Sequence, residues 1–257
     1  MQQTLGMDQP SAAEEFWSQD SQVEAFSKNS DVLLYESDLI AEAIAAASTT
    51  GEVKEVHAVG VGTGRELPAV RALLPEAKIS AWDVSEPMVQ ACSAFVQDQG
   101  LTNISVGQAD IVDLSSHGTN ADLVVLLNAI LCYVNTPQDR RRALLALHDL
   151  LRSGGTIAVV VHQPNSRPDW AMWFGFRSLL CRLSLAEGSS GDRRISHGDS
   201  TMLFHHFRPT ELRRLLTESG FEHIRIRSLR TWSRETGHRI PWRSPNPLMV
   251  TAVRSQR

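Results

Sequence analysis

The chain has 257 residues, enough for one large α/β domain with appended segments. Its 42 % apolar and 21 % charged residues exclude a wholly disordered chain. A net charge of −4 speaks against a general nucleic-acid-seeking surface, and the arginines from Arg177 to Arg230 read first as a solvated face.

Cys92, Cys132 and Cys181 are odd in number and widely spaced. They read as reduced thiols, not as a disulfide framework or a zinc site. The first residues lack the basic start and apolar stretch of a signal peptide, and no apolar run approaches the roughly 20 residues that cross a bilayer. The expectation is a cytoplasmic protein with no metal, no nucleic acid and no membrane partner.

Residues 1–13 are polar and small and read as a flexible tail. Residues 14–50 read as a helical cap of two helices broken near Asn29-Ser30-Asp31. Residues 51–257 form the main domain. There, Glu55 to Val59 is a first strand, followed by a helix over Arg65 to Leu74. Lys78 to Trp82 is a second strand, followed by a helix from Ser85, a good N-cap, to about Gln99. Asn103 to Val106 is a third strand, and the nearly all-apolar Asp122 to Leu127 a fourth, buried on both faces. Thr136-Pro137 opens a helix that ends before Ser153-Gly154-Gly155, and Thr156 to Val161 is the fifth strand. This alternation predicts a doubly wound, mostly parallel sheet with helices on both faces.

The rhythm breaks over residues 163–206, which read as an inserted lid: an aromatic helix over Asp169 to Leu185, then a loop through GSSGDRRISHGDS. A helix over Pro209 to Ser219 follows, with Gly220 as its C′ residue. Glu222 to Leu229 and Leu248 to Arg254 are the last strands, joined by a long polar loop over Arg230 to Pro247.

In open parallel sheets, ligands sit at the carboxyl ends of strands. After the first strand stands Val59-Gly60-Val61-Gly62-Thr63-Gly64-Arg65. Its third glycine comes one residue too early for a dinucleotide GxGxxG loop. Asp83 ends the second strand, about 20 residues past the glycine loop, where an acid can accept from ribose hydroxyls. Asp110-Ile111 follows the third strand, where a carboxylate can accept from an adenine amine and Ile111 can pack on the ring. His57, inside the first strand, reads as a satisfied core residue.

Taken together, HAVGVGTGRE, ISAWDVSEPMV, GQADIVDL, ADLVVLLNAILCYV and LLRSGGTIAVVV resemble the class I S-adenosylmethionine-dependent methyltransferases, from about Val56 to Val253. The resemblance implies a seven-stranded sheet whose last strand is antiparallel, with S-adenosyl-L-methionine as cofactor. Gly60, Val61, Gly62 and Gly64 would lie beside its amino-acid part. Asp83 would hold the ribose, Val84 and Met88 would flank the adenine, Asp110 and Ile111 would hold it, and Asn128 would sit near the methionyl portion. The Asn/Asp-Pro-Pro-aromatic stretch of enzymes that methylate adenine or glutamine nitrogens is replaced here by Asn128-Ala129-Ile130-Leu131.

A small, partly aromatic acceptor is the expectation, enclosed by Trp170, Trp173 and Phe174 of the lid and by Trp17 and Tyr35 of the cap. His162, His206 and Tyr133 are the candidate catalytic groups, with His205 beside them as an acceptor contact. Three rivals stay open: a macromolecule methyltransferase, a cofactor-binding protein of this fold with another activity, and an NAD-dependent oxidoreductase. The oligomeric state, monomer or homodimer, is not fixed by the sequence.

Overall fold

A computed structural model describes residues 12–28, 32–118, 120–164, 168–183, 189–197 and 200–255. Along them run the helices and strands Ala12–Trp17 (α1), Asp20–Ser27 (α2), Leu34–Ser48 (α3), Glu55–Val59 (β1), Leu67–Leu73 (α4), Lys78–Asp83 (β2) and Glu86–Asp98 (α5). Ile104–Gln108 (β3), Ala121–Leu126 (β4), Pro137–Leu150 (α6), Leu151–Val161 (β5) and Pro168–Arg182 (α7) follow. Asp192–His197 (β6), Ser200–His205 (β7), Pro209–Glu218 (α8), Phe221–Ser228 (β8), Leu229–Thr236 (α9) and Leu248–Arg254 (β9) complete them.

Seven strands form one sheet in the order β3-β2-β1-β4-β5-β9-β8. The pairs among β1 to β5 are parallel, and β9 runs antiparallel to both β5 and β8. The last strand therefore has the expected direction. Every residue of β4 is buried, as the centre of a sheet covered on both faces requires. One apolar cluster, with Leu126, Leu144, Ile157 and Leu216, lies on one face. The other, with Leu39, Ile40, Val70 and Leu123, lies beneath α3, α4 and α5. The strand order reverses between β1 and β4, which puts the ligand crevice at their carboxyl ends.

Local chemistry sets the element ends. The Ser85 hydroxyl accepts from the Met88 N–H and the Thr136 hydroxyl from the Asp139 N–H, capping α5 and α6. Asp122 accepts from the N–H groups of Lys54 and Glu55 and from Arg152, tying the starts of β1, β4 and β5 together. His57 accepts from Trp82 Nε1 at 3.0 Å, and burial lowers its pKa to about 4. It is the satisfied core residue that was expected.

Three expectations are corrected. Residues 12–50 carry three helices where two were expected, and Ala12 and Ala13, placed in the tail, belong to α1; residues 1–11 and the break at Asn29-Ser30-Asp31 lie outside the described residues. The supposed loop after the aromatic helix contains the antiparallel pair β6–β7, with Ile195 opposite Met202. The polar connector Arg230–Pro247 begins with α9, whose Ser228 cap accepts from the Thr231 N–H and which buries only Leu229 and Trp232. So short an apolar stripe is easily read as loop.

The β6–β7 hairpin is pinned by a buried polar network. His205 Nδ1 lies 2.7 Å from Asp192 and its Nε2 3.0 Å from Glu211. Burial opposes the charge on His205, but bonds to the two carboxylates outweigh it and raise its pKa. Arg140 stands 4.0 Å from Asp192 and donates to the carbonyls of Val134 and Asn135. Replacing Arg140 by Ala leaves the Val134 and Asn135 carbonyls without their donor while Asp192 keeps His205 and the Ser189 N–H, so the expected loss is about 1–3 kcal/mol of stability. Denaturant unfolding reads it; a loss under about 1 kcal/mol would show that Arg140 is dispensable to the network.

Candidate functional site

A cavity of about 370 Å³ opens at the carboxyl ends of β1, β2, β3 and β4. Gly60, Gly62, Asp83, Val84, Met88, Asp110, Ile111 and Asn128 all line it, as the sequence places them. Trp17 and Tyr133 close it, with ring centroids 4.9 Å apart, and Tyr133 is backed by Phe204 at 4.8 Å. Phe26, Ile130 and Asn135 are wall residues that sequence reasoning did not single out. Burial raises the pKa of the Tyr133 phenol, which stays protonated at neutral pH.

The glycine loop differs from a phosphate cradle. The N–H groups of Gly60 and Val61 donate to the Trp82 carbonyl, that of Gly64 to the Val61 carbonyl, and that of Gly62 to Asp83 Oδ2 at 2.8 Å. These four donors are thus committed within the protein. Val61 and Gly64, expected beside the ligand, are buried within the loop and are not among the residues that line the cavity. A Cβ on Gly64 would meet Cys92 Sγ and Phe95 at 3.0 Å.

Asp83 also accepts from the Ser85 N–H at 3.0 Å. Burial raises its pKa, and backbone hydrogen bonds from Ser85, Gly62 and Val84 oppose that rise. At the end of β4 the chain turns through Asn128 and Ala129, both left-handed with φ of 57° and 59°. Such a conformation costs about 1–2 kcal/mol in each non-glycine residue and is held only where the surroundings dictate it. Arg65 supplies part of that constraint. Its guanidinium bonds both oxygens of Glu36 at 2.9 and 3.1 Å and reaches Asn128 Oδ1 at 2.6 Å.

On the other side of Asn128 lies a second cavity, of about 580 Å³. The two cavities share Phe26 and Asn128. Tyr35 and Leu34 of α3, His162 after β5, Trp232 of α9 and residues of the 238–247 connector line the second one. The connector is held by Gln163 Nε2 donating to the Asn246 carbonyl and by the Arg230 N–H donating to Asn246 Oδ1. The His162 backbone is fixed on both sides, through the Cys132 thiol and the Phe207 N–H. Its Nδ1 is buried with no hydrogen-bond partner among the described residues, and burial lowers its pKa.

The structure moves the other expected acceptor contacts away from both cavities. Trp170 lies under the Arg193 guanidinium at 4.7 Å, and Phe174 is buried against the His206 ring at 4.6 Å. Trp173 is 44 % exposed on the outer surface. His206 lies behind His162, packed among aromatic rings, with its pKa lowered to about 3 by burial. His205 belongs to the buried network already described. None of Trp170, Trp173, Phe174, His205 and His206 lines either cavity; the β6–β7 hairpin stands behind the first cavity's wall, where Phe204 of β7 packs on Tyr133.

Residues 56–155 match the family model of a methyltransferase domain. Among solved structures, a SAM-dependent methyltransferase from Methanosarcina mazei is similar over 80 % of this chain and 95 % of its own, with a TM-score of 0.62 and 18 % identity. Magnesium protoporphyrin IX methyltransferase from Synechocystis PCC 6803, solved with bound SAH, is similar over 94 % and 98 %, with a TM-score of 0.59 and 16 % identity. A methyltransferase from Clostridium acetobutylicum is similar over 91 % and 98 %, with a TM-score of 0.60 and 13 % identity. At such identities the likeness establishes the fold. Among the described residues, no helix is long and apolar enough to cross a membrane.

Proposed function

We propose that this chain is a class I S-adenosylmethionine-dependent methyltransferase that passes the methyl group of its cofactor across Asn128 to a small molecule held in the second cavity. The observation that carries the proposal is that the two cavities meet at Phe26 and Asn128.

The first cavity fits the cofactor by its chemistry. Asp83 has lone pairs beyond those used by Gly62 and Ser85 to accept from ribose hydroxyls. Val84, Met88 and Ile111 offer an apolar slot for the adenine, with Asp110 at its edge to accept from the exocyclic amine. The glycine loop, with four N–H groups committed, suits a ligand without phosphates and disfavours a dinucleotide. When bound, the cofactor supplies an electrophilic methyl on a sulfonium. What the protein adds is orientation, worth about 7–11 kcal/mol in well-organised cases.

The Glu36–Arg65–Asn128 chain holds the boundary between the cavities rigid. His162, uncharged at neutral pH and lining the second cavity, takes the proton from an acceptor that must lose one. Tyr35 and Trp232 shape the acceptor cavity in place of the α7 aromatics. A volume of about 580 Å³ suits a metabolite-sized guest, and the porphyrin named for the Synechocystis neighbour shows small-molecule methylation on this fold.

The test has two parts. Calorimetry is expected to show micromolar binding of S-adenosylhomocysteine and none of NADH. Turnover of the acceptor found by screening then follows pH with an acid limb below 6.5, the ordinary histidine value, because burial depresses the His162 pKa. The His162→Gln variant loses at least about ten-fold in kcat together with that limb. An unchanged profile in the variant would remove His162 from the reaction.

A further inference from the structure

From the charge lining the second cavity, we infer that the acceptor is a planar molecule carrying an anionic group, a carboxylate or an equivalent acid, that is read by Arg239. This rests on the assignment of the second cavity as the acceptor site. Glu36 and Arg65 line it as a closed ion pair with N–O distances of 2.9 and 3.1 Å, and Glu36 also accepts from the Leu33 N–H. That pair contributes no net charge. Asp38 stands behind the wall, accepting from Trp232 Nε1 at 2.8 Å, and does not line the cavity. Arg239 remains. It lines the cavity from the connector, is exposed, and forms no ion pair among the described residues. Among the described residues, the lining therefore carries one uncompensated positive charge, at its solvent end.

The rest of the cavity is shaped for an apolar, flat body. Tyr35 and Trp232 meet edge to face at 6.3 Å, and Ile240, Pro245 and Pro247 complete the wall. His238, the residue before Arg239, stacks on the Trp232 ring at 5.4 Å with an interplanar angle of 10°. That stack fixes the start of the connector, so the Arg239 guanidinium is carried on an ordered support at the mouth. A planar guanidinium pairs with a carboxylate through two parallel hydrogen bonds, which sets orientation as well as affinity. An acceptor anchored there at one end presents its other end toward His162 and Asn128, the inner lining residues next to the cofactor cavity.

The experiment uses three isosteric probes, 2-naphthoate, 2-naphthamide and 2-naphthamidine, titrated by saturation-transfer NMR into the full chain loaded with S-adenosylhomocysteine. The naphthoate is expected to bind at least about ten-fold more tightly than the amide, with the amidine weakest. Arg239→Gln removes that preference, Arg239→Lys keeps part of it, and S-adenosylhomocysteine affinity stays the same in both. Equal binding of the three probes, a preference that survives Arg239→Gln, or no binding of any probe at millimolar concentration overturns the proposal. A loss of S-adenosylhomocysteine affinity in Arg239→Gln also overturns it, because the arginine would then read the cofactor. The Trp232→Ala variant separates this reading from the acceptor site itself. If it abolishes binding of all probes while charge makes no difference, the cavity stands as acceptor site and only the anionic acceptor falls.

Discussion

Asp83→Ala is expected to weaken S-adenosylhomocysteine binding on the order of 100-fold or more while the sheet stays folded. Hydrogen bonds to a charged group are worth about 1.5–3 kcal/mol each, and a carboxylate facing a ribose accepts two. The substitution acts a second way. Asp83 Oδ2 holds the Gly62 N–H at 2.8 Å and Oδ1 the Ser85 N–H at 3.0 Å, so the carboxylate also sets the glycine loop and the entry into α5. Alanine leaves both N–H groups without their acceptor, and the loop that faces the ligand loses its anchor.

Asp83→Asn separates the two contributions. Its single carbonyl oxygen can keep one backbone bond, but the amide nitrogen cannot accept from either a hydroxyl or an N–H. Calorimetry is expected to place it between the wild type and the alanine variant. If both variants bind S-adenosylhomocysteine as tightly as the wild type, Asp83 is a loop-fastening residue alone and the ribose lies elsewhere.

The cofactor cavity was legible in the sequence because each of its walls is local. A glycine turn, an acid at a strand end and Asp110-Ile111 each follow a strand whose apolar pattern is plain, and the parallel sheet brings strand ends together as a rule. Val61 and Gly64 fall outside the lining, because composition tells that a loop is tight, not which of its residues face inward. The second cavity was illegible for a different reason. Its walls come from α3, the end of β5, α9 and the connector, and no short segment carries more than two of its lining aromatics. The aromatic residues of α7 drew the acceptor site to themselves because a helix with Trp170, Trp173, Phe174 and Phe176 is too apolar for one buried face. That inference about the helix was sound: Phe176 is 63 % exposed. Met172, Trp173 and Leu179 are exposed with it and line neither cavity. Arg65 did carry a usable signal. A long cation directly after a glycine loop must either face solvent or find a buried acid, and it finds Glu36 across the domain.

Gly60→Ala is expected to lower stability by about 2–5 kcal/mol and to cost most of the cofactor affinity, through two terms that a second substitution can separate. The first term is conformational. Gly60 has φ of +69°, and an L side chain there costs about 1–2 kcal/mol. The second is overlap: the added Cβ would stand 2.4, 2.6 and 2.9 Å from three side-chain carbons of Ile130. Ile130 cannot step aside easily. It is β-branched and stiff at χ1, and it opens the short helical turn Ile130–Tyr133 directly after the left-handed pair Asn128–Ala129. Pushing it moves Asn128 and Tyr133, which line the cofactor cavity, and Asn128 is also the boundary with the acceptor side. Adding Ile130→Ala to Gly60→Ala is therefore expected to restore the part of the stability lost to overlap, about 1–3 kcal/mol, and to leave the φ penalty in place. Thermal unfolding and S-adenosylhomocysteine titration of the two single variants and the double variant measure this. Additive losses in the double variant would mean that Gly60 and Ile130 do not press on each other, and that the glycine is required for its backbone conformation alone.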